Sequence, residues 1–144
     1  MAVIVILGIL AVAFGSRFMG NAGVTEVVDR DNALSLLRRV QTQAMQQADD
    51  SACHQLLVSA KSLALSDLAA CTKGGVNQVT DLSLSLASGQ FQLSAGGTVL
   101  SLPQTLAFDG LGNVPLCAQG CSLQIAGQGK AALCIEAQGY IHPC

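Results

Sequence analysis

The sequence predicts an α+β fold: a long N-terminal α-helix packed on an antiparallel, disulfide-stapled β-rich head. Three observations predict it. First, charge is graded along the 144 residues. Residues 1–16 carry none, and residues 17–50 carry Arg17, Glu26, Asp29, Arg30, Asp31, Arg38, Arg39, Asp49 and Asp50. The longer remainder carries fewer. Second, hydrophobic spacing is helical before residue 50 and shortens towards two after it. Third, all six cysteines (Cys53, Cys71, Cys117, Cys121, Cys134 and Cys144) fall in the later part. The length suits one modest domain and one long helix. We divide it into a helix over 1–50, apolar over 1–16 and amphipathic over 24–49, and a head over 51–144.

Residues 1–14 contain no polar side chain. As a helix they span about 21 Å, short of the roughly 20 residues that cross a bilayer core. They read as the distal part of a longer membrane helix. Two other readings stay open. Ala11-Val12-Ala13 resembles a signal-peptide cleavage site, although no basic segment precedes the run, and a buried core helix is the third.

Gly20-Asn21-Ala22-Gly23 interrupts the pattern. Beyond it Ala33, Leu34, Leu37, Gln41, Ala44, Met45 and Ala48 recur at helical spacing. Leu34, Leu37, Ala44 and Met45 are the expected helix–sheet contacts, and Gln41 is the one polar residue of that stripe. The face either packs on the chain's own sheet or meets a partner. Asp49-Asp50-Ser51 ends the helix in loop chemistry.

Strands are expected in order through the head. Gln55-Leu56-Leu57-Val58-Ser59 opens it. Residues 61–78 read as loop. Leu82, Leu84 and Leu86 alternate with Ser83 and Ser85, as a half-buried strand should. Phe91–Leu93, Thr98–Leu102 and Thr105–Phe108 continue, and Asp109–Asn113 is dense turn chemistry. Ser122–Ala126, the Gly127–Gly129 turn, Ala131–Ile135 and Tyr140–His142 complete what reads as a meander of successive hairpins.

An even number of cysteines in a small loop-rich head points to disulfides and an oxidising compartment. The sequence-local pairing is Cys53–Cys71, Cys117–Cys121 and Cys134–Cys144. A zinc site is the rival, since Cys117 and Cys121 have loose ligand spacing and His54 and His142 lie beside cysteines.

Four stretches carry a family resemblance. Val3–Val12 followed by Arg17-Phe18 resembles the N-terminal helix of type IV pilins and type II secretion pseudopilins. Asp31–Met45 is similar to the next part of that helix in minor pilins and H-type pseudopilins. Phe108-Asp-Gly-Leu-Gly112 and Leu133–Cys144 are similar to the C-terminal region of minor pilins of the mannose-sensitive haemagglutinin (MSHA) system. The resemblance implies a leader, a processing site and a membrane glutamate before Met1, hence a longer precursor. Gly15-Ser16 stands where relatives often carry proline.

What the resemblance implies is a minor pilin-like structural subunit. It sits in the inner membrane with a periplasmic head, then joins other pilins, through the assembly machinery, in a cell-surface pilus. Val3, Ile4, Ile6, Leu7, Ile9, Leu10 and Phe14 are then the filament-core contacts. The head faces outward, where a surface receptor or glycan could meet it. A type II secretion pseudopilin of the H type remains an alternative, as does a secreted adhesion or binding module if residues 1–14 are cleaved.

No enzyme, cofactor or metal is expected. Two histidines flanked by cysteines give no Ser/His/Asp or metal-bound water arrangement, and His54 reads as a surface or strand-end histidine rather than a catalytic base. Some pseudopilin relatives bind calcium, but Asp109–Asn113 offers one carboxylate. Nucleic acid is not an expected partner either. Net charge is −2, and beyond residue 51 the cations are Lys61, Lys73 and Lys130, too sparse to track phosphates. Glu136 and Lys130 are expected to pair across a hairpin.

Overall fold

The computed structural model describes residues 4–6, 23–46, 54–66 and 82–144. Helix α1 spans Val24–Gln46. Gly23, at φ 110°, turns the chain into it, and Glu26 places an acid in the first turn, where the helix dipole favours negative charge. Leu, Ala, Arg and Gln dominate its later turns and are good helix formers. Residues 4–6 are helical as well; the rest of the apolar run lies outside the described residues. Among those residues no helix is long and apolar enough to cross a membrane.

The buried face of α1 is Glu26, Ala33, Leu36, Leu37, Val40 and Ala44. This corrects the expected stripe. Met45 is 57% exposed, and Leu34 is only partly buried at the margin of the core. The cause is a rotation of the packed face. Leu36 and Val40 lie on the far side of Leu37 and Ala44 from Met45, each residue turning the helix by about 100°. Apolar side chains occur on both flanks, so periodicity alone does not choose between them.

Among the described residues the head holds nine strands in two antiparallel sheets. In the first, the order is β3 (Ser83–Ser85), β2 (Ser62–Leu65), β1 (Gln55–Val58) and β6 (Gln104–Ala107). In the second it is β5 (Thr98–Val99), β4 (Gln90–Ala95), β7 (Cys121–Ala126), β8 (Lys130–Ile135) and β9 (Ile141–Pro143). Alternation sends Leu56, Val58, Leu63, Leu65, Leu123, Ile125, Leu133 and Ile135 into one continuous core. Helix α1 packs on β7, β8 and β9 of the second sheet and on β1 and β3 of the first.

Two expectations about the head are corrected. Ser62–Leu65 is a strand, not loop; its Leu63-x-Leu65 alternation is too short to read alone, and pairing with β1 supplies the rest. The strands also do not form a plain meander. β6 returns to the free edge of β1, setting Leu106 against Leu56. β4 pairs with β7 across the intervening β5–β6 excursion. Cross-strand burial therefore overrides sequence proximity. Thr98–Leu102 yields only a two-residue strand.

Among the described residues two disulfides staple the head. Cys117–Cys121 ties the 3-10 turn Pro115–Cys117 to the start of β7. Cys134–Cys144 ties β8 to the residue following β9. These four sulfurs are thus not zinc thiolates. Cys53 and Cys71 lie outside the described residues. Each bridge closes a short loop, a class of constraint that contributes about 2–4 kcal/mol.

Candidate interaction surface

The C-terminal half of α1 is held against two turns by side chains that reach across the fold. Gln41 Nε2 donates to the carbonyls of Gly112 (2.7 Å) and Gly139 (2.6 Å). Its amide therefore satisfies two turn carbonyls at once, which accounts for a polar residue on an otherwise apolar stripe. Arg38 Nη2 donates to the carbonyl of Ile141, 2.8 Å away. Gly139 sits at φ 82°, and a Cβ there would run into the Gly112 carbonyl oxygen. Only glycine lets the two turns approach so closely.

Leu111 is lifted on the first turn by Asp109. Its carboxylate Oδ1 accepts the backbone N–H of Leu111 (2.9 Å) and of Asn113 (2.8 Å). That carboxylate, the candidate calcium ligand, is thus engaged by its own loop. At the tip Leu111 is 78% exposed, and Tyr140, on the turn before β9, is 63% exposed. Together with Met45 they surround a groove of about 460 Å³ with Arg38 on its wall. These exposed apolar side chains around one groove make it the candidate interaction surface of the head.

The β8–β9 hairpin carries the titratable part of this surface. His142 Nε2 lies 2.9 Å from Glu136 Oε1, and Nδ1 lies 2.9 Å from the carbonyl of Pro143. Two acceptors favour a proton on both nitrogens, so the imidazole pKa is raised, chiefly by Glu136 and then by the Pro143 carbonyl. Tyr140 stacks on His142 with ring centroids 4.9 Å apart. Glu136 therefore pairs with His142, not with Lys130. Lys130 opens β8 and Glu136 follows its end, about 20 Å away at strand rise.

At its other end α1 is clamped to the β7–β8 turn. Glu26 Oε1 accepts the backbone N–H of Gln128 (2.9 Å) and of Gly129 (3.2 Å). Those amides, Gly129 first and then Glu26's own N–H, hold the carboxyl below its usual range against the opposing effect of burial. A Cβ on Gly127 would meet that oxygen at 2.5 Å. On the opposite side of this turn of helix, Val24, Val27 and Val28 are exposed. A second, more polar groove of about 310 Å³ lies between α1 and β3, beside Asn32, Ser35 and Ser83.

The candidate residues read from sequence are thus dispersed. His54 is buried at the start of β1, and its carbonyl accepts the N–H of Phe108, 3.0 Å away. Among the described residues no group of three or more His, Cys, Asp or Glu could hold a metal ion. Glu26, Leu36, Arg38, Val40 and the Glu136–His142 pair were not singled out as site or packing residues. Only the lone polar Gln41 signalled in sequence that α1 makes specific contacts.

A helix laid across two antiparallel sheets, with a disulfide-closed C-terminal hairpin, defines a type IV pilin-like fold. Two crystal forms of the type IV minor pilin FimU of Pseudomonas aeruginosa (strain PAO1) share it. One aligns over 83% of this chain and 87% of its own with a TM-score of 0.55 at 14% identity. The other aligns over 81% and 90% with a TM-score of 0.53 at 15% identity. No family profile matches the sequence, and no curated protein matches it.

Proposed function

We propose that the chain is a non-enzymatic structural subunit of a type IV pilus, a minor component that helps initiate, cap or decorate a filament of the MSHA kind. The observation that carries this reading is the correspondence of fold with a type IV minor pilin over most of both chains. The apolar N-terminal run supports it. Ile4, Val5 and Ile6 are exposed on the isolated chain, and a helix with no polar side chain needs lipid or other helices around it. In this reading the inner membrane covers the run first. Other pilins then replace the lipid, with Val3, Ile4, Ile6, Leu7, Ile9, Leu10 and Phe14 in the filament core and the head outside. Packing is the whole mechanism. Each Leu or Ile withdrawn from water contributes about 1.5–3 kcal/mol, more than any surface ion pair on the head.

The test is recovery of the chain from native membranes and from sheared surface filaments, with mass spectrometry of both fractions. Co-isolation with pilins is the expected result, and their identity names the filament. Co-isolation with secretion pseudopilins instead would move the chain to that system. Recovery only from the culture supernatant, free of pilins and shortened at the N-terminus, would overturn the proposal.

A further inference from the structure

Tyr140 is the single tyrosine of a chain without tryptophan, and it forms one wall of the groove beside Met45 and Leu111. Its backbone is pinned on both sides. Gln41 holds the carbonyl of Gly139, Arg38 holds that of Ile141, and the Cys134–Cys144 bridge closes the hairpin beyond. The phenol ring is therefore the part left free to move. It rests on His142, with ring centroids 4.9 Å apart and planes inclined by 22°. Both nitrogens of that imidazole face acceptors, Glu136 Oε1 and the carbonyl of Pro143, each at 2.9 Å. Only the imidazolium has an N–H for each of them. The neutral ring has one N–H and leaves the other acceptor facing a lone pair. The stack favours the cation too, since a positive charge within about 6 Å of a tyrosine centroid is attracted by the face of the ring.

We propose that His142 is a protonation switch for the groove: the imidazolium holds Tyr140 in place as a wall, and loss of its proton releases the phenol and reshapes the surface while the hairpin backbone stays where it is. Among the described residues the charged groups that bear on the imidazole are Glu136 on its own hairpin, which favours the proton, and Arg38 on α1, which opposes it. Tyr140 covers its face. Glu136 prevails because its contact is a direct hydrogen bond. The wall is therefore complete below the ordinary imidazole value and is released as pH rises through the raised one. The device belongs to the head alone and does not depend on the filament role.

The test uses the full chain in detergent, followed from about pH 5 to about pH 9, below the ionisation of tyrosine itself at about 10. Tyrosine emission reports Tyr140 alone. It is expected to change in one step with its midpoint above the ordinary imidazole value, while far-ultraviolet circular dichroism stays constant. Glu136→Gln is expected to lower that midpoint, and His142→Gln to remove the step. In the unsubstituted protein, nuclear magnetic resonance is expected to show the Met45 and Leu111 methyl signals titrating with the same midpoint as the His142 ring, and this decides the matter if His142→Gln does not fold. Emission without a step, a step that survives in folded His142→Gln, or methyl signals that stay put while His142 titrates would overturn the proposal. Loss of circular dichroism at the same midpoint would overturn it as well, because the hairpin itself would then be unfolding.

Discussion

Single residues here act by serving two elements at once. Gln41 bonds the carbonyls of both turns, so Gln41→Leu leaves them without a donor and should cost about 1–3 kcal/mol. Chemical denaturation would show it as a lower midpoint at unchanged slope. Glu26 gives a pH signature. Its folded pKa lies below the usual carboxylate value, so its contribution is fully present above that ordinary value and is lost as pH falls through the lowered one. His142 has the opposite sign. Its raised pKa means a contribution complete below the ordinary imidazole value and lost as pH rises through the folded one. Glu26→Gln should therefore flatten the acid limb of a stability–pH curve, and His142→Gln the neutral limb. An unchanged acid limb in Glu26→Gln would show that the turn amides do not hold that carboxylate.

At the level of elements, the rotated face of α1 gives a paired prediction. Leu37 is fully buried, and Leu37→Ala should cost about 2–5 kcal/mol. Met45→Ser, on an exposed position, should change stability by less than about 0.5 kcal/mol. Equal losses in thermal unfolding would mean that α1 sits on the sheets as the sequence pattern implied. Strand positions were readable wherever leucine, isoleucine or phenylalanine alternate with polar residues over several positions. They were not readable at Ser62–Leu65, where two leucines make no period. Nor could pairing partners be read, because Leu56 is an equally good neighbour for Leu65 and for Leu106 until both edges of β1 are filled.

For the whole molecule, the relevant division lies between the apolar run and the head. If residues 3–14 serve only filament packing, Ile6→Glu should abolish recovery in sheared filaments. The melting temperature of the head should not move, because Ile6 is exposed and makes no part of the described core. A head that melts earlier would tie that residue to the fold instead. Oxidation state acts on the head as a unit. Replacing Cys134 and Cys144 by serine frees β9 from β8 at its C-terminal end and should cost about 2–4 kcal/mol, with loss of order around Tyr140 visible by proteolysis.

The order of residues was enough to establish the class of fold, an apolar run and an amphipathic helix ahead of an alternating, cysteine-bearing head. Those features are periodic or compositional, and each follows from which side chains must leave water. It also carried the local cysteine pairs, since Cys117–Cys121 and Cys134–Cys144 each flank a single turn. The surface was another matter. Which flank of α1 is buried, that Gln41 gathers two turns, and that Met45, Leu111 and Tyr140 meet at one groove all depend on residues far apart in the chain. Their placement was settled by close packing in three dimensions, where a rotation of one helix by a single residue exchanges core for solvent.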